Sequence, residues 1–267
     1  MGTRQPSSRS LLALAHELAD LSGEALRRHF RRTLAVTNKA VGPHFDPVTE
    51  ADRNAEQIMR KAIARAFPEH GILGEEFEPV SGAGRYEWIL DPIDGTRAFM
   101  MGSPLWGTLI GLTDGGRPVL GVMNQPFTRE RFWAAAGGAR MRGPDARSRR
   151  LRTRASAKLE EAILTTTHPD LFAGSHERER FAELKSRVLM TRFGGDCYGY
   201  CLLAAGFVDL IVEAGLKPYD VRALIPIIEN AGGIITTWEG EPALNGGRII
   251  AAGDARLHRQ ALRILTG

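Results

Sequence analysis

Four groups of acids stand where elements end along the chain: Gly74-Glu75-Glu76, Asp91-Pro92-Ile93-Asp94-Gly95-Thr96, Asp220 within Pro218-Tyr219-Asp220, and Asp52 within Val48-Thr49-Glu50-Ala51-Asp52. The hexapeptide is the most informative. Pro92 holds the preceding residue extended, and Gly95-Thr96 opens a short helix. Asp91 and Asp94 then point toward the open end of a sheet, and the amides of Gly95 and Thr96 face the same space, where a helix N-terminus favours anions. Two carboxylates beside free amides suit a phosphate bridged by hard cations, and magnesium takes oxygen ligands shared with substrate phosphates. An Asp-rich turn in which Asp94 caps a helix accounts for the same spacing, and spacing alone does not separate the two. The other acids have structural readings too. Thr49 with Asp52 forms a capping box, Asp220 can cap a helix beginning at 221, and Glu76 can be an exposed loop acid.

The elements that must position these acids follow from periodicity. Within 10–32, Leu11, Leu14, Ala15, Leu18, Leu21, Ala25 and Leu26 recur at helix spacing. A loop rich in Gly, Pro and His runs through Pro47. A second helix starts at Thr49, carries Ala51, Ala55, Ile58, Met59, Ala62, Ile63 and Ala66 on one face, and ends before Pro68. Trp88-Ile89-Leu90 is a buried strand stopped by Asp91-Pro92. Strands at 106–113 and 118–123 are joined by the hairpin turn Asp114-Gly115-Gly116-Arg117, and 131–135 adds another. The first 140 or so residues therefore predict two helices followed by an antiparallel meander. Beyond them, strands at 162–166, 188–192, 209–212, 233–237 and 249–251 alternate with helices at 177–187, 197–205, about 221–231 and 254–265, an α/β pattern. The 267 residues divide into an N-terminal α+β half, 1–145, carrying the metal-binding motifs, and a C-terminal α/β half, 146–267, completing the site.

Taken together, Glu75-Glu76, the hexapeptide, and Asp220 ahead of Ala231-Gly232-Gly233 resemble the magnesium-dependent inositol monophosphatase family, in family order and over about residues 10–265. The resemblance implies a layered αβαβα sandwich and hydrolysis of small phosphate monoesters by metal-activated water, without a covalent intermediate. It implies two or three Mg2+ ions per site and a homodimer. Glu75, Asp91 and the carbonyl of Ile93 match the ligands of the first metal, and Asp91, Asp94 and Asp220 those of the second. Glu76 and Asp52 match supporting catalytic positions, and Thr96 with Asp52 matches the pair that orients the attacking water. Gly95 and Thr96 match the amides that hold the phosphate. One departure stands at Tyr219, where the family usually has Trp; it alters packing beside the metal more than ligation.

The substrate is suggested by Gly194-Gly195-Asp196-Cys197-Tyr198-Gly199-Tyr200-Cys201, where general inositol phosphatases carry small residues. Asp196, together with Glu213, resembles the histidinol-phosphate phosphatase branch, as do Arg97-Ala98-Phe99 and Leu105-Trp106-Gly107-Thr108. Histidinol phosphate bears an ammonium and an imidazole where inositol phosphate is neutral, and two acids at the pocket mouth would pair with that positive end. Asp196 can also simply cap the 197–205 helix. Inositol 1-phosphate, or a broad range of sugar and nucleotide phosphates, is the alternative.

Composition excludes several classes. With 43% hydrophobic and 25% charged residues the chain is neither disordered, collagen-like nor coiled coil, and two cysteines exclude a disulfide scaffold and suggest a reducing compartment. Those two, Cys197 and Cys201, read as small buried apolar residues, and His168 as a loop residue. The net charge of +4 is too mild to imply nucleic acid. Seven arginines between Arg140 and Arg154 read as a solvated loop, since no aromatic residue interleaves them to stack on bases. A catalytically silent RNA- or protein-binding regulator would lose a ligand acid, whereas Glu75, Asp91, Asp94 and Asp220 are all present. The apolar run Leu11 to Ala15 is broken by His16 and Glu17, too short for a signal peptide or membrane span. A soluble, cytoplasmic enzyme acting on a small phosphate monoester is expected, with no nucleic-acid or membrane partner.

Overall fold

Leucines three and four residues apart give α1 (Ser8–His29) one apolar stripe. Ser7 starts this helix by accepting from the Ser10 amide at 3.1 Å. It ends at His29, short of the expected residue 32. The computed structural model describes residues 6–32, 36–38, 47–155 and 158–267. Most of the expected Gly/Pro/His loop lies outside them, flanked by β1 (Val36–Asn38) and β2 (Pro47–Thr49), which pair antiparallel. The second helix, α2 (Glu50–Ala66), begins after Thr49 as predicted. Leu14, Leu18, Met59 and Ile63 of the two helices pack on Trp88, Leu90, Ile110 and Val122 of the first sheet.

That sheet has seven strands in chain order: β3 (Gly71–Gly74), β4 (Tyr86–Asp94), β5 (Gly107–Asp114), β6 (Arg117–Gln125), β7 (Glu130–Ala135), β8 (Gly138–Arg142) and β9 (Ser148–Arg150). A short helix, α3 (Thr96–Met100), leaves β4. The β5–β6 turn is the predicted one, with Gly115 and Gly116 at φ +58° and +83°, a left-handed pair that glycine adopts without strain. Three expectations need correction. The meander is not wholly antiparallel, because β3 pairs parallel to β4; a four-residue strand bounded by glycines leaves little periodic signal. The Trp88 strand does not stop at Asp91-Pro92 but runs to Asp94 through a shift of register against β5. The arginine-rich segment is not merely a loop: β8 and β9 are the outer strands of the sheet, where exposed arginines guard an open edge.

The second sheet is mixed, with order β11 (Met190–Phe193), β10 (Ile163–Thr166), β12 (Leu210–Leu216), β14 (Gly247–Ala252), β13 (Ile234–Thr237). Helices α5 (Asp196–Ala204) and α7 (Leu224–Ala231) lie between the sheets, where Cys201, Ile227 and Ile228 meet Leu109, Met123 and Phe132 on one side and Ile211 and Ala251 on the other. Gly121 permits this approach, since a Cβ there would stand 1.8 Å from the Ala223 carbonyl oxygen. The outer face is closed by α4 (Ser175–Ser186) and α8 (Ala255–Thr266), whose Phe181, Leu184, Leu257 and Ala261 cover Leu164, Leu210 and Ile250. Helix, sheet, helix, sheet, helix is the αβαβα sandwich expected. The single helix predicted near 221–231 is two, α6 (Pro218–Val221) and α7. Pro226 has no amide to donate to the Arg222 carbonyl and its ring crowds that oxygen, so the helix breaks between them. Among the described residues no helix is long and apolar enough to cross a membrane.

Candidate active site

The end of β4 is built around its irregularity. Asp91 faces Leu109 on β5 but Asp94 faces Gly107, one residue out of step. The Thr108 hydroxyl donates to the Pro92 carbonyl at 2.8 Å and fixes the bulge. Gly95 then turns the chain at φ +87°, and the Thr96 hydroxyl donates back to the Ile93 carbonyl at 3.0 Å. Asp94 does act as a cap, though not on its own helix. Its Oδ2 accepts from the Cys197 amide at 2.5 Å and so closes the start of α5, 103 residues away. The capping role considered for Asp196 therefore belongs to Asp94; no side chain at Gly195 or Asp196 caps α5.

Three carboxylates, Asp91, Asp94 and Asp220, bring oxygens within 4.8 Å of one another. Asp220 Oδ2 accepts from the Lys217 amide at 2.6 Å, so it caps α6 while its charge faces the cluster. Asp91 is 2% exposed, and its Oδ1 is buried without a hydrogen-bond partner among the described residues. Glu75 lies against Asp91 and hydrogen-bonds its carboxyl. Behind them Asp52 is buried at the start of α2, its Oδ2 accepting from the Thr49 amide at 2.8 Å and hydroxyl at 2.5 Å, so the capping box is real. Its Oδ1 is a second buried oxygen without a hydrogen-bond partner among the described residues. Burial, followed by repulsion from Glu75, Asp94 and Asp220, holds the Asp91 proton well above the usual carboxylate range. Burial and then Asp220 push Asp94 up to about 8. Asp52 and Asp220 are raised to about 7, chiefly by burial.

A cleft of about 370 Å³ opens in front of this cluster, lined by Glu75, Asp94, Gly95, Thr96, Asp196, Glu213 and Asp220 among the residues anticipated. Asp52, Glu76, Asp91 and Ile93 stand behind that lining rather than in it. Glu213 is 3% exposed, and its Oε1 accepts from the Thr167 amide at 3.0 Å and hydroxyl at 2.7 Å. Asp196 takes a left-handed φ of +45° and sets its carboxylate against Gly95, where a Cβ would come 3.1 Å from Asp196 Cγ. Burial, then Asp94, raise Asp196 to about 7, with Arg97 opposing; burial raises Glu213 to about 7. Thr96 and Asp52, expected to act on one water, are joined by no hydrogen bond among the described residues.

The sequence model of the inositol monophosphatase family matches residues 7–266. The chain belongs to that family. It is 42% identical over 266 residues to the chloroplastic bifunctional phosphatase IMPL2 of Arabidopsis thaliana, covering 95% of this chain and 74% of that one. It is 37% identical to the histidinol-phosphatase of Mycobacterium tuberculosis, over 94% and 96% of the two chains. Among solved structures, an inositol monophosphatase from Zymomonas mobilis superposes with a TM-score of 0.85 at 42% identity, covering 98% of this chain and all of that one.

As an inositol monophosphatase family phosphatase, the protein presents an oxygen donor set suited to hard divalent cations. The chemistry of the donors carries this fit: clustered carboxylates, one with an orphaned buried oxygen, repel one another unless protons or a cation intervene. Lys217 and Thr167 line the cleft with no signal in the sequence, and Arg97 and Tyr219, which the sequence marks only through the family resemblance, line it too. Arg97 and Lys217 put two cations on the wall, Tyr219 lies beside Asp220, and Thr167 anchors Glu213. Glu56 supports the site from behind, accepting from the Glu76 amide at 2.8 Å and from Arg60 at 2.7 Å. Its signal was present, since Asp52 and Glu56 lie one turn apart on the face of α2 that otherwise carries small apolar residues. Cys197 and Cys201 are buried and unbridged, as expected, and His168 begins a short 3₁₀ turn.

Proposed function

We propose that the protein hydrolyses L-histidinol phosphate to L-histidinol and phosphate, with Mg2+ held by Glu75, Asp91, Asp94, Asp220 and the carbonyl of Ile93. Bound there, two or three such ions would supply Lewis acidity and lower the pKa of water. The chain's own groups do the rest. The Thr96 hydroxyl donates its hydrogen bond to the Ile93 carbonyl, so toward the cleft its oxygen can only accept, which orients a water by one of its hydrogens. Asp52 keeps an unengaged Oδ1 behind Glu75 and Glu76, a place to hold a proton near neutral pH. The amides of Gly95 and Thr96 donate to the phosphate oxygens. No side chain of the cleft has to form a covalent intermediate.

The observation that carries the choice of substrate is the pair Asp196 and Glu213, two acids in the cleft beyond the three-carboxylate cluster. Neither is needed to hold the ions assigned above, and together they favour an ester with a cationic leaving group. The likeness to the histidinol-phosphatase of M. tuberculosis supports the reading. The likeness to the Z. mobilis inositol monophosphatase favours a second one, inositol 1-phosphate, with Glu213 accepting from a sugar hydroxyl. The family reading also brings a homodimer, and the two unbridged cysteines fit a reducing, cytoplasmic setting.

Phosphate release in Mg2+, comparing L-histidinol phosphate with inositol 1-phosphate, AMP and a sugar phosphate at equal concentration, tests the proposal. A preference of about a hundredfold for histidinol phosphate, roughly 2.7 kcal/mol of discrimination, is the expected outcome. Comparable rates would leave a general monophosphatase.

A further inference from the structure

A second concavity lies away from the acid cleft, between the C-terminal half of α1, the β6–β7 turn and the β8–β9 hairpin. It measures about 260 Å³ and is walled by Arg27, Arg129, Arg131 and Arg142. Arg131 forms its floor. That side chain is 6% exposed and held on three sides: Nε donates to Asn124 Oδ1 at 2.8 Å, Nη1 to the His16 carbonyl at 3.3 Å, and Nη2 to Asp20 Oδ1 at 2.6 Å. Arg129 adopts a left-handed φ of +61°, a conformation that costs a non-glycine residue about 1 kcal/mol or more. Acids line the cavity as well, but each is engaged. Asp20 pairs with Arg131, Glu24 turns outward to Arg28, and Glu130 accepts from the Tyr198 hydroxyl at 2.6 Å. Arg27, Arg129 and Arg142 are exposed and have no hydrogen-bond or ion-pair partner among the described residues, so three unpaired guanidinium-bearing side chains line one hollow.

We infer that this hollow is a binding site for a small phosphate-bearing anion, separate from the catalytic cleft. Guanidinium forks match phosphate oxygens two at a time, and three around a buried fourth give an anion donors from several directions. The cavity falls just below the usual size of sites for drug-sized ligands, which suits inorganic phosphate or a short phosphate monoester. The acids on its wall leave a surplus of only about one positive charge, which argues against a polyanion strand. The site also touches the machinery of the cleft: Glu130 on its wall holds Tyr198, two residues along α5 from Asp196.

Calorimetric titration of the Mg2+-loaded protein with inorganic phosphate tests the inference, comparing wild type with the double variant Arg129→Gln/Arg142→Gln. One saturable equivalent of phosphate is expected to weaken by about tenfold or more in the variant, while phosphate release from the preferred ester stays within about twofold and the melting temperature is unchanged. If no equivalent responds to the substitutions, the inference fails. It fails equally if the variant loses affinity for single-stranded RNA while its phosphate isotherm matches wild type, because the arginines would then form a polyanion surface.

Discussion

The seven-stranded sheet brings Asp91 and Asp94 together through a bulge in β4, whereas the five-stranded sheet brings Glu213 from the middle of β12, beside its register shift, and Asp196 and Asp220 on segments that leave its strands. On the first side the acids are locked by the backbone around them: Thr108 to Pro92, Thr96 to Ile93, and the Glu76 amide to Glu56. On the second side Asp196 and Asp220 sit in the first turns of helices and Glu213 beside the register shift of β12, where a change of side chain alters what the cleft contacts without removing a strand pairing. On the proposed function, cation holding falls mainly to the first sheet and choice of ester to the second. At the cleft the two are tied by the bond from the Cys197 amide to Asp94, and by Asp220, the acid of the second side that joins the cluster.

Substitutions on the first side should cost most. Asp94→Asn is expected to lower phosphate release by about a thousandfold or more, since it removes a charge from the cluster while keeping an oxygen to cap α5. Circular dichroism and a melting curve close to wild type would separate chemistry from folding, and retained activity would overturn the cation assignment. On the second side the effect should be smaller and selective. Asp196→Asn is expected to reduce kcat/KM for histidinol phosphate by about ten- to a hundredfold and for inositol 1-phosphate far less. Equal losses on both esters would erase the division between the sheets.

A third test addresses the cluster as a whole. Asp94 near 8 and Asp52 and Asp220 near 7 lie above the ordinary carboxylate value of about 4. Between about pH 4 and 8 the folded, metal-free chain therefore holds protons that the unfolded chain has released, so raising the pH through that window favours unfolding. In a chelator the melting temperature should fall by about 5 °C or more from pH 5.5 to 8.5, and Mg2+ should restore most of it, more at the higher pH. A flat profile in the chelator would mean that the acids are not crowded as described. Behind the site, Glu56→Gln should cost roughly 1–3 kcal/mol of stability, read by denaturant unfolding, because Arg60 and the Glu76 amide lose a buried charged partner. The smallest effect is expected from Tyr219→Trp: under about threefold in kcat, since Asp220 keeps its bond to the Lys217 amide.

Much of the fold was legible because its signals are local. The stripes of α1 and α2 and the Asp114-Gly115-Gly116-Arg117 turn depend on neighbours a few residues away. The misreadings share a cause as well. At Asp91-Pro92 a local rule for ending a strand was overridden by a bulge paired to β5, and β8 and β9 escaped notice because edge strands of arginine look like loop. Glu56 was passed over because an acid on a helix reads as solvent-facing until Arg60 and the Glu76 amide are seen to meet it.

By itself the sequence determined which acids are available, their order along the chain, and the family to which the chain belongs, because these are matters of residue type and spacing. Only the tertiary structure decided that Asp94 caps α5 rather than its own helix, that Thr96 turns its hydroxyl to Ile93 and not to Asp52, and that Arg27 of α1 shares one hollow with Arg129, Arg131 and Arg142. Each of these depends on the packing of one sheet on α5 and α7, or of α1 on strand ends about a hundred residues away. Hydrogen-bond partners and charge neighbours at that separation are set by burial of the layers between them, and no local pattern encodes it.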